Sequence, residues 1–115
     1  MRVTSDLFVS ALLRRVFGGG GFGAIVKRGA TEAGSIFVLS RRDFQTVCVY
    51  GPAPQTSYAA DSPDDRLFAL LMEGVPDQEA QERLDREIRF DPDVWIVEIE
   101  PAKTPIGELL GLSLP

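Results

Sequence analysis

The residues of this sequence best suited to chemistry are four carboxylates close to its single tryptophan. They are Asp91, Asp93, Glu98 and Glu100. Alternation of side chains along a strand would place Glu98 and Glu100 on one face, about 7 Å apart, with Trp95 on the other. Two carboxylates at that spacing can share a hard cation such as Mg²⁺. The pattern therefore raises the hypothesis of a divalent-cation-dependent hydrolase that uses Glu98 and Glu100, with Asp93 as a further catalytic candidate.

The order of these acidic residues resembles a nuclease pattern, P-D followed by (D/E)-x-K. Here Pro92-Asp93 precedes Glu98-Ile99-Glu100, so a glutamate stands where that pattern has lysine, and every candidate lies on one strand. The sequence contains no histidine, which excludes a Ser-His-Asp or Cys-His catalytic site and a histidine-ligated zinc site. We therefore favour a strand end that emerges into water, whose acidic residues discourage edge-to-edge pairing, and we predict no cofactor.

Basic residues occur in pairs, and charge is unevenly distributed along the chain. The candidates for a nucleic-acid surface are Lys27, Arg28, Arg41 and Arg42, with Phe22, Phe44 and Tyr50 as stacking groups. Residues 1–57 contain seven basic and three acidic residues, whereas residues 58–115 contain five and fourteen. The net charge of −5 argues against a nucleic-acid partner. The imbalance favours self-association, because the basic half of one copy can meet the acidic half of another.

A run of glycines at 18–21 continues into Phe22-Gly23 and so matches the pattern G-x-G-x-x-G. In dinucleotide-binding proteins a strand precedes that loop and a helix follows it, so that the helix N-terminus meets the phosphates. The predicted order here is helix, glycines, strand. We therefore interpret the run as the end of a helix and a hinge.

Apolar periodicity predicts two helices that pack on a sheet. The first covers about Ser5–Phe17, with Thr4 or Ser5 as its cap and a wide apolar stripe. The second covers Asp77–Arg89, where acid-first pairs at i, i+4 form a solvated face. Thr104–Leu110 has the pattern of an additional short, capped helix.

Apolar runs predict the strands. Three follow one another closely, at 23–28, 35–40 and 44–50, and their short connections favour antiparallel neighbours in a meander. Arg66–Met72 is compatible with a helix or with a buried strand, and we favour a fourth strand. The strand around Trp95 follows the second helix, so a crossover should return it to the same sheet. The predicted fold class is α+β, with an antiparallel sheet of four or five strands that carries two helices.

The length of 115 residues fits a single domain over residues 1–115. No apolar run reaches the roughly 18 residues that a membrane span requires, and the apolar start is too interrupted for a signal peptide. The lone Cys48 fits a reducing compartment, so we expect a cytoplasmic protein without a membrane partner. We interpret Gly51–Asp65 as a mobile connection rather than a binding loop. The leucines of residues 103–115 need apolar cover, from an open sheet face or from a second copy of the chain.

Several separate motifs resemble one family. They are Ser5-Asp6-Leu7-Phe8-Val9-Ser10-Ala11-Leu12-Leu13-Arg14-Arg15, Tyr50-Gly51-Pro52-Ala53-Pro54-Gln55 and residues 90–100. Over residues 3–100 the sequence is similar to a group of alphaproteobacterial proteins of about this length, classed as a domain of unknown function, DUF1491. The resemblance implies a bacterial, cytoplasmic protein and brings no activity, substrate or site residue.

We therefore expect a non-enzymatic interaction or self-association module, whose partner is a second copy or another protein. The hydrolase using Glu98 and Glu100 and a nucleic-acid surface on the basic half remain the alternatives.

Overall fold

The computed structural model describes residues 3–54 and 66–113. Within them the chain forms α1 (Ser5–Gly18), β1 (Phe22–Lys27), β2 (Ile36–Arg41), β3 (Thr46–Pro52), β4 (Leu67–Pro76), α2 (Asp77–Phe90), β5 (Trp95–Glu100), α3 (Ile106–Leu109) and β6 (Gly111–Leu112). Both long helices and the short C-terminal helix are confirmed, and the segment Arg66–Met72 forms a strand from Leu67 onward, as favoured. Most of the irregular stretch Gly51–Asp65 lies outside the described residues.

Helix α1 begins where the sequence predicted, but neither Thr4 nor Ser5 caps it through its side chain. The Thr4 hydroxyl donates to the Asp6 carboxylate at 2.8 Å, and the buried Ser5 hydroxyl donates to the Gly34 carbonyl at 2.6 Å. The backbone N–H groups of Ser5 and Asp6 donate to carbonyls at 31–32, in the loop after β1. Two of the N–H groups that the first turn leaves free are therefore satisfied by tertiary contacts.

The strands form one mixed sheet in the order β1-β5-β2-β3-β4-β6. The predicted antiparallel sheet of four or five strands is wrong, because six strands pair, β5 runs parallel to β2, and β6 runs parallel to β4. Strands β2, β3 and β4 form an antiparallel meander, but β1 and β2 are not neighbours. The connection at 28–35 is long enough to leave room for one strand. The crossover through α2 returns β5 to the same sheet, as the strand–helix–strand order predicted, and the structure places β5 between β1 and β2.

Each face of the sheet has its own apolar cluster. Helices α1 and α3 cover one face, where Trp95, Val97 and Ile99 are buried. Helix α2 packs on the other face, where Val94 and Ile96 are buried with apolar residues of β2 and β3. The alternation predicted for β5 is therefore confirmed, and this strand is covered on both sides.

The last described residues pack against the domain. Leu109 and Leu110 are buried in the cluster beneath α1, and Arg15 Nη2 donates to the Leu109 carbonyl at 3.1 Å. The Ser113 N–H donates to the Phe68 carbonyl at 2.9 Å. These leucines cover the domain's own sheet, and association of residues 103–115 with a second copy stays a prediction. Of the helices formed by residues 3–54 and 66–113, none is long and apolar enough to cross a membrane.

Candidate functional site

The neighbouring parallel strands β2 and β5 end side by side at Arg41 and Glu100. In open sheets, ligands bind in the crevice beyond the carboxyl ends of parallel strands. A groove of about 760 Å³ opens there, between the glycine turn before β1, the β2–β3 turn and the turn after β5. We call it the end groove, and its main side chains are Phe22, Arg41, Arg42, Phe44 and Glu100.

Asp43 holds the β2–β3 turn in one conformation. Its carboxylate accepts the N–H groups of Gln45 and Thr46, both at 2.8 Å, and the Thr46 hydroxyl at 3.1 Å. These hydrogen bonds, that of Gln45 first, hold the pKa of Asp43 below its usual value because they favour the charged carboxylate. Phe44 lies inside this turn, and its side chain is 100% exposed. The turn therefore presents an aromatic ring to solvent on a fixed backbone.

A second exposed aromatic residue stands on the other side of the end of β5. Phe22 begins β1, lines the end groove and is 58% exposed. The ring of Phe17 meets it edge-on, with 5.8 Å between the ring centroids. Tyr50, which the sequence offered as a further stacking group, is only 8% exposed, and burial raises its pKa. The aromatic surface of the end groove therefore consists of Phe22 and Phe44, extended by Phe17.

The glycine run closes helix α1 and supports the groove wall. The N–H groups of Gly19, Gly20 and Gly21 donate to carbonyls in the last turn of α1, at 2.9–3.2 Å. Gly20 has a φ of +85°, a conformation that side chains disfavour. A Cβ on Gly21 would overlap the carbonyl oxygen of Glu100. Because these N–H groups are already bonded to the helix, they cannot cradle a phosphate, which agrees with the interpretation of the run as a helix end.

Arg41 joins three elements at the base of the end groove. Its Nη2 donates to Asp77 Oδ1 at 2.7 Å, at the start of α2, and its Nε donates to Glu98 Oε2 at 3.2 Å. Its Nη1 also donates to the Asp43 carbonyl at 3.3 Å. The hydrogen bond to Asp77, followed by that to Glu98, raises the pKa of Arg41 above its ordinary value. Arg41 is thus committed to contacts within the domain.

The acidic candidates are not brought together in one site. Glu98 pairs with Arg41, whose guanidinium occupies the place beside this carboxylate that a cation would take. Glu100 lines the end groove and is exposed. Asp93 precedes the other end of β5, about 17 Å from Glu98 along the strand. Within residues 3–54 and 66–113, no group of three or more His, Cys, Asp or Glu side chains could hold a metal ion.

The basic candidates also divide between the two ends of the sheet. Arg41 and Arg42 lie at the end groove, whereas Lys27 pairs with Ile96 at the opposite end. Lys27 Nζ donates to the carbonyls of Pro92 at 2.7 Å and Val94 at 3.0 Å. The guanidinium of Arg28 stands over the Trp95 ring, 5.6 Å from its centroid. These pairs therefore form no continuous basic track.

We expect Arg41→Ala to lower the free energy of unfolding by about 1 kcal/mol, because it removes two partly exposed ion pairs. The Asp77 and Glu98 side chains left behind are 58% and 36% exposed, so water can hydrate them. Urea unfolding at low salt measures the loss, which should shrink in about 0.5 M NaCl. The control Arg42→Ala removes a neighbouring charge and should change stability by less than about 0.5 kcal/mol. Equal losses in the two variants would contradict the network.

The fold and the groove define a class: a small, mixed α+β domain with an open groove lined in part by aromatic side chains. The chain belongs to the family described as "Protein of unknown function (DUF1491)", whose sequence model matches residues 3–105. The predicted family resemblance is therefore confirmed. The search of curated proteins found no match.

Solved structures of similar proteins agree with this assignment. The solution structure of protein Atu0922 from A. tumefaciens has a TM-score of 0.84 and 48% identity, and the match covers 100% of this chain and 98% of that chain. The crystal structure of a DUF1491 family protein from Caulobacter crescentus CB15 has a TM-score of 0.70 and 28% identity, covering 87% of each chain. An NMR structure of a DUF1491 family protein from the same organism has the same TM-score and identity.

The sequence identified most side chains of the end groove as candidates but did not indicate that they lie in one site. Phe22 and Phe44 entered as stacking groups for a nucleic acid, and Glu100 as a metal ligand. Two signals in the sequence could have placed these residues in one site. The first is Phe44, an apolar residue between charged and polar neighbours in a tight turn. The second is the continuous apolar runs of β2 and β5, which are typical of parallel strands. The contribution of Phe17 had no local signal, because it depends on how α1 ends against β1.

Proposed function

We propose that this protein is an interaction module that binds an exposed segment of another protein in the end groove. Phe44 carries the proposal: a fully exposed aromatic ring stands on a hydrogen-bonded turn, with Phe22 on the other side of the end of β5. Exposed apolar groups that converge in a concave surface mark interaction sites, and aromatic residues supply much of the binding energy at protein interfaces.

The charges of the end groove favour a protein segment over a nucleic acid. Arg41 is engaged within the domain, and the Asp43 carboxylate accepts hydrogen bonds within its own turn. The exposed charged side chains left to face a ligand are Arg42 and Glu100, which have opposite signs. A nucleic-acid backbone needs a row of cations. A peptide segment could place an apolar side chain between the two rings and polar groups on either side of it. It would then make favourable contacts with both rings and both charged side chains. We place this interaction in the cytoplasm, in keeping with the free thiol of Cys48.

A photo-crosslinking phenylalanine analogue at position 44, introduced in living bacteria, tests the proposal. We expect a discrete crosslinked protein whose yield falls about tenfold when Phe22→Ser is added, because truncation of a central aromatic contact costs 2 kcal/mol or more. The same analogue at position 90 is the control, since Phe90 is 90% exposed but does not line the end groove.

Binding of the purified crosslinked protein then completes the test. Phe44→Ala should weaken its affinity by about tenfold or more, and Phe90→Ala should leave it unchanged. Identical crosslinked products from positions 44 and 90, or no product from position 44, would refute the proposed function.

A further inference from the structure

Beyond the end groove, we infer that β1 pairs with β1 of a second copy of the chain, antiparallel, with Ala24 on the twofold axis. Strand β1 is at the edge of the sheet. Its inner side pairs with β5 from Phe22 to Lys27, and no strand of residues 3–54 and 66–113 pairs with its outer side. Phe22 is the one residue of this interface that also lines the end groove, and the pairing itself rests on the backbone edge of β1.

The two edges of the sheet are built differently. On the opposite edge, β6 covers the first residues of β4, and the remainder of β4 carries Glu73, Gly74 with a φ of +60°, and Pro76. A charge, an irregular backbone and a proline each hinder pairing with another strand. Strand β1 has no charged residue or proline before Lys27, and its register shift lies at its end, between Ile25 and Lys27. In the sheet formed by residues 3–54 and 66–113, the β1 edge is therefore better suited to a partner strand than the β4 edge.

Alternate side chains of β1 form an uncovered apolar stripe. Phe22 is 58% exposed and Val26 is 55% exposed, and the exposed Ala24 lies between them. Ile25 packs on the cluster beneath α1, so the stripe lies on the other face of the sheet. Helix α2, which covers that face elsewhere, packs on β3 and β4. Apart from the edge-on contact of the Phe17 ring with Phe22, the described part of the chain therefore leaves this stripe facing solvent.

The stripe is complementary to itself, as an interface between identical chains must be. When Ala24 lies opposite Ala24 of the partner subunit, Phe22 of each copy lies opposite Val26 of the partner subunit. Each pair joins an aromatic and a β-branched side chain on the same face, a combination that stabilises neighbouring strands. The small side chain on the axis leaves room for the larger pairs on both sides of it.

Charge selects the antiparallel orientation. Glu100 is the β5 neighbour of Phe22, so this end of the stripe is acidic, whereas Lys27 and Arg28 follow Val26 at the other end. Antiparallel pairing brings the acidic end of each copy near the basic end of the other, about 10 Å away across two strand spacings. A parallel arrangement would place like charges beside each other.

Sedimentation velocity on the full chain tests the dimer. The paired segment is short, so we expect a small interface and a dissociation constant of about 10–100 µM, visible between about 2 and 500 µM protein. Ala24→Lys places two like charges opposite each other on the axis and should weaken the dimer at least tenfold. Phe90→Lys adds the same charge away from β1 and should leave dimerisation unchanged. Thermal unfolding checks that both variants fold.

Disulfide crosslinking tests the register in which the two β1 strands pair. In a Cys48→Ser background, Ala24→Cys should form a disulfide-linked dimer with oxidised glutathione, whereas Val26→Cys alone should not, because Val26 faces Phe22. A chain that stays monomeric over the whole concentration range, or stronger crosslinking through Val26→Cys, would overturn the inference. Phe44→Ala should retain the dimer, and Ala24→Lys should retain crosslinking from position 44, so the two proposals fail separately.

Discussion

Replacement of Trp95 by alanine is expected to remove about 3–5 kcal/mol from the free energy of unfolding. The side chain is 1% exposed, on β5, a strand with a neighbour on each side, within the cluster beneath α1. Its Nε1–H also donates to the Ala30 carbonyl at 2.8 Å. Alanine would leave a large cavity and remove this hydrogen bond, although the Ala30 carbonyl still accepts the Gly34 N–H at 3.2 Å. A domain of this size has only about 5–15 kcal/mol of stability in total.

Urea unfolding followed by far-ultraviolet circular dichroism measures this loss, since the substitution removes the tryptophan fluorescence. Trp95→Phe keeps most of the packing and loses the hydrogen bond, so it should have an intermediate effect of about 1–3 kcal/mol. Phe90→Ala, at a site 90% exposed, should change stability by less than about 0.5 kcal/mol. A loss below about 1 kcal/mol in Trp95→Ala would show that β5 is not the core strand described here.

Gly21→Ala is expected to cost about 1–3 kcal/mol, because the added methyl group has no space. A Cβ there would overlap the Glu100 carbonyl oxygen and lie 3.1 Å from Val16 Cγ1 and 3.2 Å from the carbonyl carbon of Pro101. Two of these three atoms belong to the backbone, so the strain cannot be relieved by a side-chain rotation. The end of β5 or the end of α1 must move instead.

Gly18→Ala is the matched control from the same glycine run. It is the last residue of α1, and a Cβ there would meet nothing within 4 Å. Alanine favours helix and restricts the unfolded chain, so this variant should be neutral or more stable by up to about 1 kcal/mol. Thermal and urea unfolding compare the two. Equal effects would contradict the conclusion that the run is needed for close packing at Gly21.

The local sequence pattern was sufficient to predict most helices and strands of this fold, but it did not predict which strands are neighbours in the sheet. The two long helices, β1, β2 and β3 follow from patterns in their own residues, whereas the segment that forms β4 was compatible with a helix or a strand. The position of β5 between β1 and β2 does not, because the short connection at 28–35 equally permits a hairpin. A usable signal was present in the continuous apolar runs of 36–39 and 94–97, which are typical of strands covered on both faces. β6 has two residues and no pattern of its own.

The candidate site shows the same limit. Glu98 and Arg41 appeared in competing hypotheses, one as a metal ligand and the other as a phosphate contact. They are 57 positions apart, and only the parallel pairing of β2 with β5 brings them into an ion pair. Ion-pair partners so far apart in the sequence cannot be inferred from composition or spacing, because the position of each partner depends on the completed sheet.

The place of β5 also bears on the order in which the chain becomes structured. On a ribosome, residues 22–41 emerge well before residues 95–100, yet β1 has no neighbouring strand in the described sheet except β5. A nascent chain that stops before Trp95 would expose β1 on both sides and β2 on one. Such unpaired edges are templates for aggregation. Synthesis of β5 is therefore the event that protects the amino-terminal strands, and we expect this domain to depend on rapid completion of its chain.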